Sequence, residues 1–352
     1  MNLIDLTQKP IFFNRNRVKR VYTGGKLFAD FLGDEPVDNN LPEEWLASCI
    51  RALNLDSIDE NEGLSFIENT DTPFRNLIEQ YPKETLGDQK DLGILVKYLD
   101  SATRLPLQAH PDPSFSRKYF NSDYGKTEMW LILATRENAC IYFGFKEEIT
   151  PEQFQKYIDQ SEYDKEIFDT ILNKVSVEPG DVFLIPAKAV HAIGYGCLIL
   201  EVQEPTDFTV QPEHWCDNYK LNEYEMYLGL DPKIALECFD YSIFGEKAIS
   251  LSKKLPSLIT DCNGIKKESL ISYNDTSCFC VNRYSVINNQ IILNSAPALY
   301  IVTKGVGTIE GENYHKKITK GSYFFIPVAA NNKYTIHTEL DIELVECLGP
   351  QK

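Results

Sequence analysis

Positive charge is what this sequence has little of: 35 Lys and Arg stand against 52 Asp and Glu, a net charge of −17 over 352 residues. That balance repels both the phosphate backbone of nucleic acid and an anionic membrane surface, so neither is expected as a partner. A small anionic substrate would have to be met by a local cluster of Lys or Arg. No apolar run approaches the about 18 residues of a membrane helix, and Met1 to Phe13 lacks the basic stretch and apolar core of a secretory leader. The nine cysteines are odd in number and contain no Cys-x-x-Cys pair. They read as free thiols in a reduced, cytoplasmic protein. Gly24-Gly25 is not part of a GxxxxGK[ST] pattern, so no phosphate loop is read there.

What is present is ordinary globular material, 43% hydrophobic and 25% charged, in a chain long enough for two or three domains. Short runs rich in aromatic and β-branched residues read as strands: Trp130 to Thr135, Cys140 to Phe145, Val182 to Ile185 and Leu198 to Val202. Turn signals such as Glu178-Pro-Gly-Asp181, Gly194-Tyr-Gly196 and Gly305-Val-Gly307 separate such strands, the pattern of a sandwich or barrel. Two stretches read as helix. Thr150 to Lys174 opens with an N-cap and Pro at the first position, and Leu221 to Phe239 breaks at Asp231-Pro232.

An internal repeat organises the chain. Gly180-Asp-Val-Phe-Leu-Ile-Pro186 recurs as Gly321-Ser-Tyr-Phe-Phe-Ile-Pro327, each with strands before and after it, which implies two related β domains. The copies differ five residues beyond the proline, where the first carries His191 and the second Asn332. Only the first can offer a metal ligand there.

Gln108-Ala-His110 places two potential ligands at i and i+2, which share a face in extended backbone. Lys126-Thr-Glu128 opens the next strand and adds a carboxylate, and His191 completes four donors. Two imidazoles, one carboxylate and one amide oxygen suit Zn²⁺ or another borderline divalent metal and leave room for substrate oxygens, whereas structural zinc favours several thiolates. The other histidines, His214, His315 and His337, lack ligand spacing and read as surface or loop residues.

Gln108-Ala-His-Pro-Asp112, Gly125-Lys-Thr-Glu-Met-Trp130 and Gly180 to His191-Ala192 resemble, in order and spacing, the type I phosphomannose isomerases. Leu95-Val-Lys-Tyr-Leu-Asp100, Glu44-Trp-Leu-Ala-Ser48 and Gly196 to Asp207 extend the likeness over roughly residues 10 to 350. The resemblance implies a mainly β double cupin, two jelly-roll β-barrels with helical insertions. We expect a metal-binding domain over 1–220 with a helical insertion at about 150–174, a helical linker over 221–250, and a metal-free second cupin over 251–352. It implies one Zn²⁺ per chain on Gln108, His110, Glu128 and His191, with Lys97 and Lys126 facing the phosphate of a hexose phosphate. The expected reaction interconverts mannose 6-phosphate and fructose 6-phosphate in a monomer or homodimer.

Two positions depart from that family. Pro106 stands where a phosphate-contacting serine is usual, and Gln211 stands where the family has an active-site arginine. Arg104 and Lys188, beside the metal-binding segments, are candidates for compensating charge. The isomerisation needs a base, for which Glu201, Asp207 and Lys126 are candidates. The alternatives are a cupin isomerase of another sugar or sugar phosphate, or a sugar-sensing metal cupin without turnover.

Overall fold

Alternation of side chains along the central strands sets the architecture of the computed structural model, which describes residues 2–54 and 57–351. In Glu128–Thr135, Trp130 and Ile132 join one apolar cluster while Met129 and Leu131 join another. The same split runs through Cys197–Gln203, with Ile199 on one face and Leu198, Leu200 and Val202 on the other. A strand buried on both faces needs apolar residues at nearly every position, and each buried Leu or Ile contributes about 1.5–3 kcal/mol. Polar residues on such strands are therefore exceptions, and the exceptions build the site.

The mainly β expectation holds. One seven-stranded sheet contains, as hydrogen-bonded neighbours, Glu43–Leu46, Leu95–Asp100, Cys197–Gln203, Glu128–Thr135 and Val182–Ile185. A three-stranded sheet of Leu172–Ser176, Cys140–Phe145 and His191–Ile193 faces it. Apolar residues of both sheets, together with Phe154 and Phe168 from the inserted helices, share one cluster that fills the first barrel. The second unit is built on the long strands Cys280–Ile292, Ala298–Gly311 and Thr335–Leu348, around a cluster of its own. Between the two units lies a third cluster fed by both, with Met129, Leu131, Leu200 and Val202 from one and Leu299, Ile301, Val345 and Cys347 from the other.

The repeat is visible in the hydrogen bonds. Gly180 N–H donates to the Ile132 carbonyl and Ile132 N–H to the Asp181 carbonyl; Gly321 does the same to Val302, and Val302 to Ser322. Both glycines have positive φ, 99° and 86°, which the turn requires. In the first unit Lys97, Glu201, Trp130 and Phe183 form one cross-strand row; Asn282, Glu346, Tyr300 and Phe324 form the matching row in the second. Glu346 accepts from Asn282 and Tyr300, both at 2.8 Å. The second barrel thus ties up the carboxylate that the first presents to a cavity.

Several expectations are corrected. The inserted helices are Pro151–Ser161 and Ile167–Ile171, and Leu172–Ser176 is already a strand, since Leu-Asn-Lys-Val-Ser buries and exposes in a period of two. The N-terminal segment serves both units: Arg17–Val18 pairs with Glu43–Glu44 in the first sheet, but Ile11 bridges to Phe325 in the second. Lys253–Lys254 pairs with Val182–Phe183, so these two residues lie on the edge of the first sheet. His337 lies half-buried in the strand Thr335–Leu348 rather than in a loop. All nine cysteines are free. Among the described residues no helix is long and apolar enough to cross a membrane.

The Gly-Gly pair has a structural reason. A Cβ on Gly24 would stand 1.8 Å from the backbone oxygen of Asp100, and the N–H groups of Gly25 and Leu27 donate to the Asp100 carboxylate. Gly24→Ala is expected to lower the unfolding free energy by about 3 kcal/mol, because the backbone must move to admit a methyl group. The denaturant midpoint at unchanged slope reads this; an unchanged midpoint would show that the turn yields freely.

Candidate active site and metal centre

Glu128 shares the inward face of its strand with Trp130 and Ile132, so its carboxylate points into the first barrel at 1% exposure. Gln108 and His191 exchange backbone hydrogen bonds, each N–H donating to the other's carbonyl at 2.9 Å. That bridge brings a loop and a strand 83 positions apart to the same place. His110, two residues on, and His191 are each 1% exposed. One donor atom from each of His110, Glu128 and His191 falls within 4.8 Å of the others. His110 Nε2 is 3.3 Å from one Glu128 oxygen and His191 Nε2 is 3.4 Å from the other.

The protonation of this cluster follows from its partners. Nδ1 of His110 is 2.9 Å from the Phe208 carbonyl and Nδ1 of His191 is 2.9 Å from the Ala189 carbonyl. Carbonyls only accept, so each Nδ1 carries the hydrogen and each Nε2 turns a lone pair inward, the orientation of metal-ligating histidine. Burial, with the Lys126 charge nearby, pushes His110 down to about 3, and burial also lowers His191, so both rings are neutral. Burial opposes ionisation of Glu128, but the Lys126 ammonium outweighs it and holds the carboxyl well below its usual range. His191 Nε2 has no hydrogen-bond partner. The Lys126 ammonium lies 2.8 Å from both His110 Nε2 and a Glu128 oxygen. A buried anion between inward-facing lone pairs, one of them unmet, fits a divalent cation.

The loop carrying Lys126 is held by a residue that sequence spacing does not single out. Glu204, buried, accepts from the N–H groups of Gly125 and Thr127 at 3.0 and 2.8 Å. A cavity of about 720 Å³ opens above the cluster; Gln108, Lys126, Glu128, Lys97, Glu201, Asp207 and Gln211 line it. Glu201 accepts from Trp130 Nε1 at 3.1 Å and lies 3.4 Å from the Lys97 ammonium. Burial and the Glu128 charge raise the Glu201 pKa.

Not every candidate is in the cavity. Arg104 pairs with Glu213 and Asp169, and lies on a separate surface groove with Tyr142 and Lys174. Glu213 also accepts from the Leu107 N–H at 2.7 Å, so the Arg104–Glu213 pair anchors the loop that presents Gln108. Lys188 bonds through its backbone to the His110 and Asp240 segments and is absent from the lining. Neither lines this cavity. Gln211 lines the cavity, but its amide donates to the Glu225 carbonyl at 3.0 Å. Residues missed by sequence reasoning are Arg20, Tyr22 and Glu43, which line the cavity beside Lys97. Their spacing follows no ligand pattern, and only strand pairing brings them in.

Two β units with matching strand order, the first holding a His-Glu-His cluster beneath an open cavity, define a mainly β protein with a metal-type site. No protein-family model matches the chain. The mannose-6-phosphate isomerase ManA of Bacillus subtilis (strain 168) is 27% identical over 332 residues, covering 92% of this chain and 94% of that protein. The mannose-6-phosphate isomerase of Streptococcus mutans serotype c is 25% identical over 328 residues, covering 91% and 92%. The crystal structure of mannose 6-phosphate isomerase from Bacillus subtilis superposes with a TM-score of 0.75 at 21% identity, covering 96% of this chain and 99% of that one. The apo form of the enzyme from Salmonella typhimurium gives 0.70 at 14% identity, covering 97% and 99%. The fold is that of these isomerases, and the resemblance to the type I phosphomannose isomerases is borne out along nearly the whole chain.

The neutral imidazoles have a measurable consequence. An unfolded histidine protonates as pH falls through about 6.5 while His110 stays neutral to about 3, so the unfolded state binds the extra proton and native stability drops. In metal-free protein the unfolding free energy is expected to fall as pH goes from about 6.5 to 5, above the ordinary carboxylate range. His110→Gln should flatten that slope. A wild-type stability that is level across this window would contradict a buried neutral pair.

Proposed function

We propose that the protein is a mannose-6-phosphate isomerase of the cytoplasm, a monomer or homodimer interconverting mannose 6-phosphate and fructose 6-phosphate. One zinc ion per chain would be held by Gln108, His110, Glu128 and His191. The observation that carries this reading is the buried His-Glu-His cluster at the foot of a cavity lined by lysines and carboxylates. The curated relatives of that name, matched over nearly the full length of both chains, support it. Two imidazoles with a carboxylate and an amide oxygen favour zinc over hard, all-oxygen ions. When bound, the ion supplies electrophilic stabilisation to the oxygens at C1 and C2 of the sugar.

The chain's own residues do the rest. Glu201 carries the proton between C1 and C2, since its burial moves it toward the neutral range a general base needs, and Trp130 fixes one of its oxygens. Lys97 and Lys126 are the buried ammonium groups on the cavity wall and meet the anionic substrate. Asp207, 3.9 Å from Lys97, helps fix that ammonium between three carboxylates. A second reading, the same chemistry on another sugar phosphate, is favoured by Pro106 and Gln211, both in the lining where the family carries a hydroxyl and a guanidinium.

A coupled assay tests both. Turnover of mannose 6-phosphate is expected from metal-loaded protein and is abolished by a chelator, and no turnover from loaded protein would overturn the assignment. Across a panel of hexose phosphates, a faster substrate than mannose 6-phosphate would favour the second reading. Elemental analysis should find about one zinc per chain, and His191→Ala should weaken metal affinity by more than the roughly 10–100-fold typical of outer-shell changes. Retention of stoichiometric metal by that variant would remove His191 from the ligand set.

A further inference from the structure

The cavity is richer in acid than a binding site for an anion should be. Among the described residues, four carboxylates, Glu43, Glu128, Glu201 and Asp207, stand around its buried part against three cations, Arg20, Lys97 and Lys126. In the more exposed part, Asp59, Glu62 and Glu225 outnumber Arg17 and Lys19, and Arg17 is taken up by Asp34 and Glu44. The whole molecule adds a net charge of −17. Gln211 contributes no charge, and its amide is engaged with the Glu225 carbonyl.

Arg20 is the cation placed to offset this. Its side chain is only 13% exposed. Nε donates to Glu43 at 2.9 Å, and Nη2 donates to both oxygens of Asp207 at 3.1 and 3.2 Å and to Glu43 at 3.3 Å. Nη1 donates to Asn54 at 3.1 Å, and the guanidinium sits 5.3 Å from the Trp45 ring centre. Among the described residues, Tyr22, Trp45 Nε1 and the Leu53 N–H also donate to these two acids. One planar fork therefore ties residue 20 to residue 207 and fixes two carboxylates at once, which a single ammonium cannot reproduce. Lys97 lies 3.8 Å from Glu43, 3.9 Å from Asp207 and 3.4 Å from Glu201. Without Arg20, Lys97 would be the sole cation paired with Glu43 and Asp207 among the described residues, while also serving Glu201.

We infer that Arg20 is a positioning residue that makes this cavity receptive to a sugar phosphate: it neutralises Glu43 and Asp207, fixes Asp207 at the cavity wall, and leaves Lys97 to Glu201. It supplies from the N-terminal segment the guanidinium charge that position 211 lacks. The inference rests on the reading of the cavity as a sugar-phosphate site. Its signature differs from that of a purely structural ion pair, because charge placed elsewhere on the same wall should restore binding.

The test uses metal-loaded protein, with calorimetric binding of mannose 6-phosphate and of inorganic phosphate beside steady-state kinetics. Arg20→Ala is expected to weaken mannose 6-phosphate binding about tenfold or more, the scale of losing one partly buried charge, and to lower kcat as well. Arg20→Lys should bind within about threefold of wild type yet keep the kcat defect, since an ammonium retains the charge but not the fork. In the Arg20→Ala/Gln211→Arg double variant, binding should recover to within about threefold of wild type. Arg20→Lys and Arg20→Gln carry the test if Arg20→Ala does not fold, the neutral amide then being expected to show the binding loss. Wild-type Kd and kcat in a metal-replete Arg20→Ala or Arg20→Gln variant would overturn the inference. So would Arg20→Lys as damaged as the neutral variant together with no recovery from Gln211→Arg. Arg20-dependent binding without isomerisation by wild type would leave the inference standing and remove the activity. Turnover that is indifferent to Arg20 would do the reverse, and no binding of mannose 6-phosphate by wild type would remove both.

Discussion

A carboxylate buried inside a β-barrel is the constraint on which this protein turns. Removing Glu128 from water costs several kcal/mol unless positive charge and hydrogen-bond donors meet it. The chain meets it with the Lys126 ammonium, and presents beside it two imidazoles made neutral by burial. The same low-dielectric setting that makes an unpaired Glu128 costly makes any cation held there strongly bound. Much of the surrounding structure serves this arrangement. Glu204 fixes the loop before Glu128, Glu213 fixes the loop before Gln108, and the backbone bridge between Gln108 and His191 closes the set.

The two barrels show how one topology can hold the same buried carboxylate in two ways. Glu201 and Glu346 occupy matching places in matching rows, each on the inward face of a central strand. Around Glu346 the neighbours are Tyr284, Tyr300 and Asn282, whose hydroxyls and amide satisfy the acid, with the Lys267 ammonium 3.7 Å away. Around Glu201 they are Lys97 and Trp130, and the space in front remains open. Each acid has a lysine partner; the difference lies in the hydroxyl and amide donors that meet Glu346 and the cavity that fronts Glu201, with the backbone pattern kept. The apolar cluster between the units gives the second copy a structural role: Leu299, Ile301, Val345 and Cys347 cover the outer face of the sheet that carries the site.

An acidic protein that lines a cavity with lysines must hold that positive charge locally. Here the cations of the cavity are held in a chain of shared carboxylates, from Arg20 through Glu43 and Asp207 to Lys97 and Glu201. Arg104 and Lys188 illustrate how little adjacency in sequence says about this. Each lies within a few residues of Gln108, His110 or His191, and each faces elsewhere, one onto Glu213 and the other away from the lining. In an extended segment neighbouring side chains point to opposite faces, so proximity along the chain predicts the wrong side as often as the right one.

Local order in the chain was enough to determine a good deal. Short aromatic and β-branched runs with turn residues between them identified the strands, the Gly-x-x-Phe-x-Ile-Pro repeat identified two related units, and the i and i+2 spacing of Gln108 and His110 identified a shared face. Glu128 and His191 were legible because they belong to motifs of distinctive residue types. Tertiary structure alone decided which of the many carboxylates share a cation. Arg20 and Asp207 are 187 positions apart, and their meeting depends on strand pairing between the N-terminal segment and the first sheet. It likewise decided that Ile11 belongs to the second unit and that Leu172 begins a strand. Short-range pattern encodes what a residue can bury; which buried groups meet is set by register and packing over distances that no local pattern records.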